Sequence, residues 1–356
     1  MFRTAAPRFA AVGIAGGLIA LATYSCLGAG GDATTNPEDA GPDFAIQGEY
    51  LGTVKSDEGE APIGAQIIAL GDGKFHGVFF PGGLPGEGYE GRFRLQTEMD
   101  IYPGYGPAPE GWERGPETIH AEGERVDGLV TLRNEHGSAD IVDGTITIKH
   151  TGGTAFGTLK KVVRESSTLG AAPPDGATVL FDGSTAETFE NGRTTEDGLL
   201  VAGCLSKQSF RDFTLHLEFR TPFMPASREQ GRGNSGMYLQ NRYETQVLDS
   251  FGLEGRDNEC GGVYSVEPPR LNMCFPPLSW QTYDVDFTAA RFDDSGNKTK
   301  NAVLTLRHNG VAIYENLELP SLTPGGASEE FPGEGPLQLQ DHGNPVHYRN
   351  IWVLAK

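Results

Sequence analysis

The residues whose types and spacing could do chemistry gather in the second half of the chain. In YETQVLD (residues 243–249), Glu244, Gln246 and Leu248 fall at alternate positions, with Thr245, Val247 and Asp249 between them. Just upstream, GNSGMYLQ (233–240) alternates Met237 and Leu239 with Tyr238 and Gln240. Successive side chains of a strand face opposite sides of a sheet, so these segments read as a hairpin carrying amides and carboxylates above a buried layer. Two more polar rows and a lone arginine follow. His216, Glu218 and Arg220 alternate with Phe213, Leu215, Leu217 and Phe219; Gln338, Gln340 and His342 alternate with Leu337 and Leu339; Arg349 follows in YRNIW. Lys207, in SKQSF, precedes the first of these rows. Planar amide, carboxylate and guanidinium groups suit the vicinal hydroxyls of a sugar, and a histidine or carboxylate near neutral pKa suits proton transfer.

Each of these residues also has a structural role open to it. Asp249 can cap the turn after its strand, Arg349 can pair with Glu218, His342 can donate within the turn 341–344, and Asn234 and Ser235 can stabilise a turn. The polar rows can also be plain solvated faces.

The elements that must hold these residues are short. Residues 177–356 show about nine apolar runs separated by turns, among them His308-Asn309-Gly310, whose Asn-Gly suits a tight hairpin. That much strand exceeds one layer, so two antiparallel sheets packed face to face, a jelly-roll sandwich, are expected. Residues 44–163 show a second series of short runs, punctuated by GDG at 71–73 and by Val-Asp-Gly at 126–128 and 142–144. They read as a smaller antiparallel β domain without a catalytic constellation. Its Pro/Gly-rich loop holds Tyr102, Tyr105 and Trp112, candidates either for stacking on a sugar or for local contacts. Residues 164–176 (RESSTLGAAPPDG) read as a semi-extended linker, and 30–43 as a disordered tether.

Composition agrees with an all-β chain. Of 356 residues, 50 are glycine and 23 proline, and no long stretch has helical periodicity. The net charge of −20, from 48 acidic and 28 basic residues, repels phosphate backbones and argues against nucleic acid as a partner. The start of the chain, with Arg3 and Arg8 before apolar residues 9–22, is expected to be an export signal spanning 1–29. Alternatives are lipidation at Cys26 and an uncleaved anchor. Each places the mature protein in the periplasm, outside the cell or at its surface. Cys260 and Cys274 are then candidates for a disulfide, and Cys204 for a buried thiol.

VLFDG (179–183), SKQSF and DFTLHLEFR (206–220), GNSGMYLQ, YETQVLDSFG, ECGGVY (259–264), the run 272–293, the run 301–316 and LQLQDHGNPVHYRNIWV (337–353) together resemble the bacterial 3-keto-disaccharide hydrolase domain family, across residues 177–356. The resemblance implies a concanavalin-like jelly roll and sets Glu218, Glu244, Gln246, Asp249, His342 and Arg349 at motif positions. Cys204 departs from the polar residue usual there. The implied activity is cleavage of 3-keto-glycosides. Removal of the C2 proton forms an enolate that expels the aglycone from C1, and water then adds; direct hydrolysis is the other route. His342 is the expected base, with Glu218 or Glu244 as alternatives. Lys207 or Arg349 would stabilise the enolate, unless a divalent cation held by Glu244, Asp249 and His342 does so. Arg220, Gln246, Asp249 and Gln340 are expected to bind the carbohydrate. A non-catalytic, lectin-like protein is the competing expectation, because a jelly roll serves either role.

Overall fold

The computed structural model describes residues 32–56, 59–91, 101–102, 106–107, 117–327 and 329–356. The expected export signal, Cys26, Tyr105, Trp112 and the side chain of Tyr102 lie outside them.

Eight strands form the first body: β1 (Gly48–Ser56), β2 (Gly59–Gly71), β3 (Lys74–Pro81), β4 (Ile119–Val126), β5 (Leu129–Asn134), β6 (Gly137–Val142), β7 (Thr145–His150) and β8 (Ala155–Val162). Each pairs antiparallel with its neighbour in the chain, and β8 returns to β1, closing a barrel with no free edge. The alternation of the sequence sends Tyr50, Ile67, Phe75, Val130, Leu132 and Ile146 inward, where all are buried. Three hairpins turn at Asp72-Gly73, Asp127-Gly128 and Asp143-Gly144. All six residues have positive φ, 45° to 53° for the aspartates, as two-residue turns matched to strand twist demand.

The segment 32–43, expected to be a disordered tether, is ordered here. Thr34 exchanges two backbone hydrogen bonds with Phe223, and a short helix, α1 (Gly41–Ile46), plugs one end of the barrel with Phe44 and Ile46. Asp43 anchors it, accepting from the Gly73 amide at 3.0 Å and from Arg125 Nε at 3.1 Å. Partial burial of the apolar pair and the hydrogen bonds to this carboxylate offset the chain entropy that the polar composition alone would have left unopposed.

The second body is a two-sheet antiparallel sandwich. Its larger, seven-stranded sheet runs β9 (Thr178–Phe181), β20 (His347–Ala355), β13 (Phe213–Arg220), β16 (Gln281–Thr288), β17 (Ala302–His308) and β18 (Val311–Leu319), with β11 (Leu200–Val201) on β20. The five-stranded sheet runs β10 (Phe189–Glu190), β12 (Cys204–Phe210), β19 (Gly335–Leu339), β14 (Ser235–Leu239) and β15 (Tyr243–Val247). Phe213, Leu215, Leu217 and Phe219 of one sheet meet Met237, Leu239, Tyr243 and Leu339 of the other in a single core. The chain is therefore all-β, a jelly roll preceded by a smaller antiparallel body.

The two bodies share buried surface. Ile68, Val78 and Phe80 leave the barrel's outer face to join the sandwich core, and Arg164 donates to Glu49 at 2.7 and 2.5 Å while lying over Phe275. The linker then crosses the outer face of the larger sheet, where Ser166 and Thr168 bond Thr282, and the Gly170 amide donates to Glu218.

The three described cysteines are free thiols, all buried. The expected Cys260–Cys274 disulfide is absent. Cys260 Sγ lies 3.3 Å from the Tyr283 hydroxyl, and Cys274 Sγ faces the carbonyls of Leu248 and Phe275.

Candidate active site

The hairpin β14–β15 presents two faces. Met237, Leu239, Tyr243 and Val247 enter the core; Gly236, Tyr238, Glu244 and Gln246 face away from it. In register, Tyr238 stands opposite Glu244, and Gly236 opposite Gln246. On the other flank of β14, Gln338 pairs with Tyr238, and the Gln340 amide donates to the Gly236 carbonyl. Gly236 is small for a reason: a Cβ there would sit 2.2 Å from Glu244 Oε1 and 3.1 Å from the Tyr238 ring. The glutamate carboxyl occupies the space that any larger residue would take.

Glu244 is 3 % exposed. Its Oε2 lies 2.8 Å from the Tyr238 hydroxyl, which also faces the Pro324 carbonyl at 2.9 Å and accepts from Gln340 Nε2 at 3.2 Å. A phenol has one proton and two acceptors compete for it here. When Glu244 is protonated it can donate to the phenol, which then donates to Pro324; when ionised, Glu244 accepts the hydrogen bond of the phenol, which keeps its proton. Glu244 Oε1 makes no hydrogen bond among the described residues. Burial pushes this carboxyl up to about 7, against a smaller downward pull from the Tyr238 hydrogen bond. Burial, with the carboxylate beside it, raises Tyr238 as well.

Loops from outside the hairpin wall this group in. Thr323 Oγ1 accepts the Glu244 amide at 2.7 Å, and the Thr323 amide donates to the Arg242 carbonyl, holding the segment with Pro324 over Tyr238. Gln246 Nε2 donates to Gln230 Oε1 at 3.0 Å, Asn234 Nδ2 donates to the Gln230 carbonyl, and Asn344 Oδ1 caps the Asn234 amide at 2.8 Å. Two buried oxygens of this wall, Asn234 Oδ1 and Gln340 Oε1, have no hydrogen-bond partner among the described residues. An unpaired buried acceptor is unfavourable by about 1–3 kcal/mol, so together with Glu244 Oε1 they form an acceptor set suited to a ligand rich in hydroxyl donors.

The structure divides the residues singled out from the sequence. Glu244, Gln246 and Gln340 come together with Tyr238. Glu218, Arg220 and Arg349 do not join them: they lie on the outer face of the other sheet, because they alternate with core residues of β13 and β20. There Arg349 Nε donates to Glu218 Oε2 at 2.6 Å, and both guanidiniums stack on Trp280, Arg349 at 4.0 Å and Arg220 at 5.0 Å. Burial would raise Glu218, but hydrogen bonds from His216, Asn350, the Gly170 amide and Arg349 outweigh it and bring the carboxyl to about 2. Glu218 is thus a fixed anion, unsuited to taking a proton.

Asp249 also lies apart from Glu244, buried and bound to Arg232 Nε at 2.7 Å where the sandwich meets the barrel carbonyl of Ala69. Lys207 is exposed on β12. His342 is exposed in the turn between Gln340 and Asn344, which places it beside the loop that caps Asn234. Among the described residues no three of His, Cys, Asp and Glu gather to hold a metal ion, so Glu244, Asp249 and His342 are not a ligand set.

Sequence reasoning passed over Gly236 and Tyr238 as site residues, although both lie on the polar side of a legible alternation. Gln230, Thr323 and Pro324 had no local signal, since loops bring them in.

The family model of the 3-keto-alpha-glucoside-1,2-lyase-like domain matches residues 176–354. The chain belongs to this family. Two crystal structures from Parabacteroides distasonis, both provisionally described as glycosyl hydrolases, are similar to it. One is 31% identical, covers 51% of this chain and 85% of its own, and has a TM-score of 0.46. The other is 20% identical, covers 55% of this chain and 98% of its own, and has a TM-score of 0.36. No curated protein matches the chain. The matched span contains the whole Gly236–Tyr238–Glu244–Gln340 group, and the barrel lies before it.

Proposed function

We propose that the protein cleaves 3-keto-glycosides by elimination, with Glu244 as the general base. The observation that carries this is the Glu244 carboxyl itself: buried, titrating near 7, one oxygen on Tyr238 and the other free above Gly236. A base matched to neutral pH removes the C2 proton, which the neighbouring ketone acidifies. The electron pair moves to the ketone oxygen, and the enolate then expels the aglycone from C1. The proton held by Glu244 passes to the leaving oxygen, directly or through Tyr238, and water adds to the enone to complete net hydrolysis. Gln340, whose Oε1 is unpaired among the described residues, orients a sugar hydroxyl, and Gln246 holds Gln230 in the wall.

Glu244 suits the base role better than His342, which is exposed, or Glu218, which stays ionised at low pH. Among the described residues no second carboxylate bears on Glu244, and this favours one-base elimination over a two-carboxylate hydrolysis. In this reading the substrate meets an exported protein, released or anchored after the leader at 1–29.

The test is release of the aglycone from a 3-keto-disaccharide, run in D2O with the sugar followed by NMR. Deuterium at C2 and loss of turnover of about 10²–10⁴-fold in Glu244→Gln are expected. Turnover by Glu244→Gln at the wild-type rate overturns the assignment. Saturable sugar binding with no turnover by the wild type would instead mark a lectin.

A further inference from the structure

The barrel holds a feature that glycoside cleavage does not use. Its interior is filled at the end plugged by α1, whereas at the opposite end, by the β5–β6 turn, it is not. There Val54, Ile63, Phe79, Ala121, Ala139 and Ile148, all directed inward, line a cavity of about 150 Å³. Eight antiparallel strands are the number at which a barrel interior is either just filled or holds one small ligand.

We propose that this cavity binds a small, neutral, apolar molecule, of the size of a single aromatic ring or a short alkyl chain. Its depth is lined by aliphatic and aromatic carbon, so water entering it would find no partners. An apolar space of this volume has room for one ring. The polar lining residues, Asn134, His136, Ser138 and Lys149, are all at least partly exposed and stand at the rim, where Lys149 donates to Asp140 at 2.6 Å. Among the described lining residues the one permanent charge, Lys149, is already paired with Asp140, which is why the ligand is neutral. Ile119, 39 % exposed, marks the mouth by which it enters. The inference is independent of the chemistry at Glu244.

The full chain, titrated with toluene and followed by ligand-observed NMR and by thermal midpoint, tests it. The wild type should bind one toluene saturably and unfold at higher temperature with it; 1-hexanol should compete and hexanoate should not. Ala121→Phe puts a ring into the cavity and should weaken toluene binding at least tenfold without changing glycoside turnover. Should that variant fail to fold, Ile148→Ala, which enlarges the cavity, should bind p-xylene at least threefold tighter than the wild type does. Absence of saturable toluene binding, displacement by hexanoate as readily as by 1-hexanol, or variants indistinguishable from wild type would overturn the proposal.

Discussion

Replacing Glu244 by glutamine should make the protein more stable at alkaline pH while removing its activity. The shape of the side chain is kept and only the titrating group is lost. In the folded protein the carboxyl titrates at about 7, against 4.5 in an exposed one, because burial disfavours the charge. Between these values the folded protein holds a proton that the unfolded chain has released. Stability therefore falls as pH rises through this window and levels off above about 7. The span is about 2.5 pH units, and each is equivalent to about 1.4 kcal/mol, so the wild type loses roughly 3 kcal/mol between pH 4 and 8. The amide of the Glu244→Gln variant does not titrate, so the stability difference between variant and wild type should grow by that amount across the window. Urea unfolding at pH 4, 5, 6, 7 and 8 measures it, with the slope of each transition compared to confirm that only stability has changed. Turnover by the wild type should rise with the same midpoint near 7. A difference that stays flat with pH would show that Glu244 is ionised throughout, and would remove the reason for calling it a base.

Gly236→Ala should abolish turnover while leaving the hairpin register intact, because the new Cβ must displace a carboxyl oxygen 2.2 Å away; near wild-type kcat would show that the carboxyl position is immaterial. Tyr238→Phe removes the hydrogen bond that holds Glu244 down, so the pH midpoint of turnover should move upward; an unchanged or lower midpoint contradicts the coupling. Glu218→Gln removes a buried carboxylate whose partner Arg349 is half-exposed, so solvent screens the pair and the fold should lose about 1–2 kcal/mol at pH 7 with kcat unchanged, as read by denaturation and by assay. Because Glu218 is held at about 2, the stability it contributes is present above pH 4.5 and is lost as pH falls toward 2, the opposite of Glu244.

Local pattern carried the strands. The alternation in 213–220, 235–239 and 337–339 already separated core residues from outward ones, and Asp-Gly and Asn-Gly announced four hairpins at the right places. The polar stripe of Glu244 and Gln246 was visible in the same way. What alternation leaves undetermined is which sheet a strand joins. Glu218 and Glu244 each stand on the polar side of a strand, but the strands belong to opposite layers of a sandwich, and the two faces look away from each other.

Long-range contacts decided the rest. Asp249 was spoken for by Arg232, seventeen residues upstream, and the tether 32–43 was ordered by Phe223 and Arg125. The closure of β8 on β1 made a barrel with an interior, where the sequence alone showed only a row of strands. Burial of Glu244, which turns an ordinary carboxylate into one that titrates near neutrality, comes from Thr323 and Pro324, about eighty residues away in the chain. Residue type sets what a group can do; the dielectric and the partners that select among those options exist only once distant segments have closed around it.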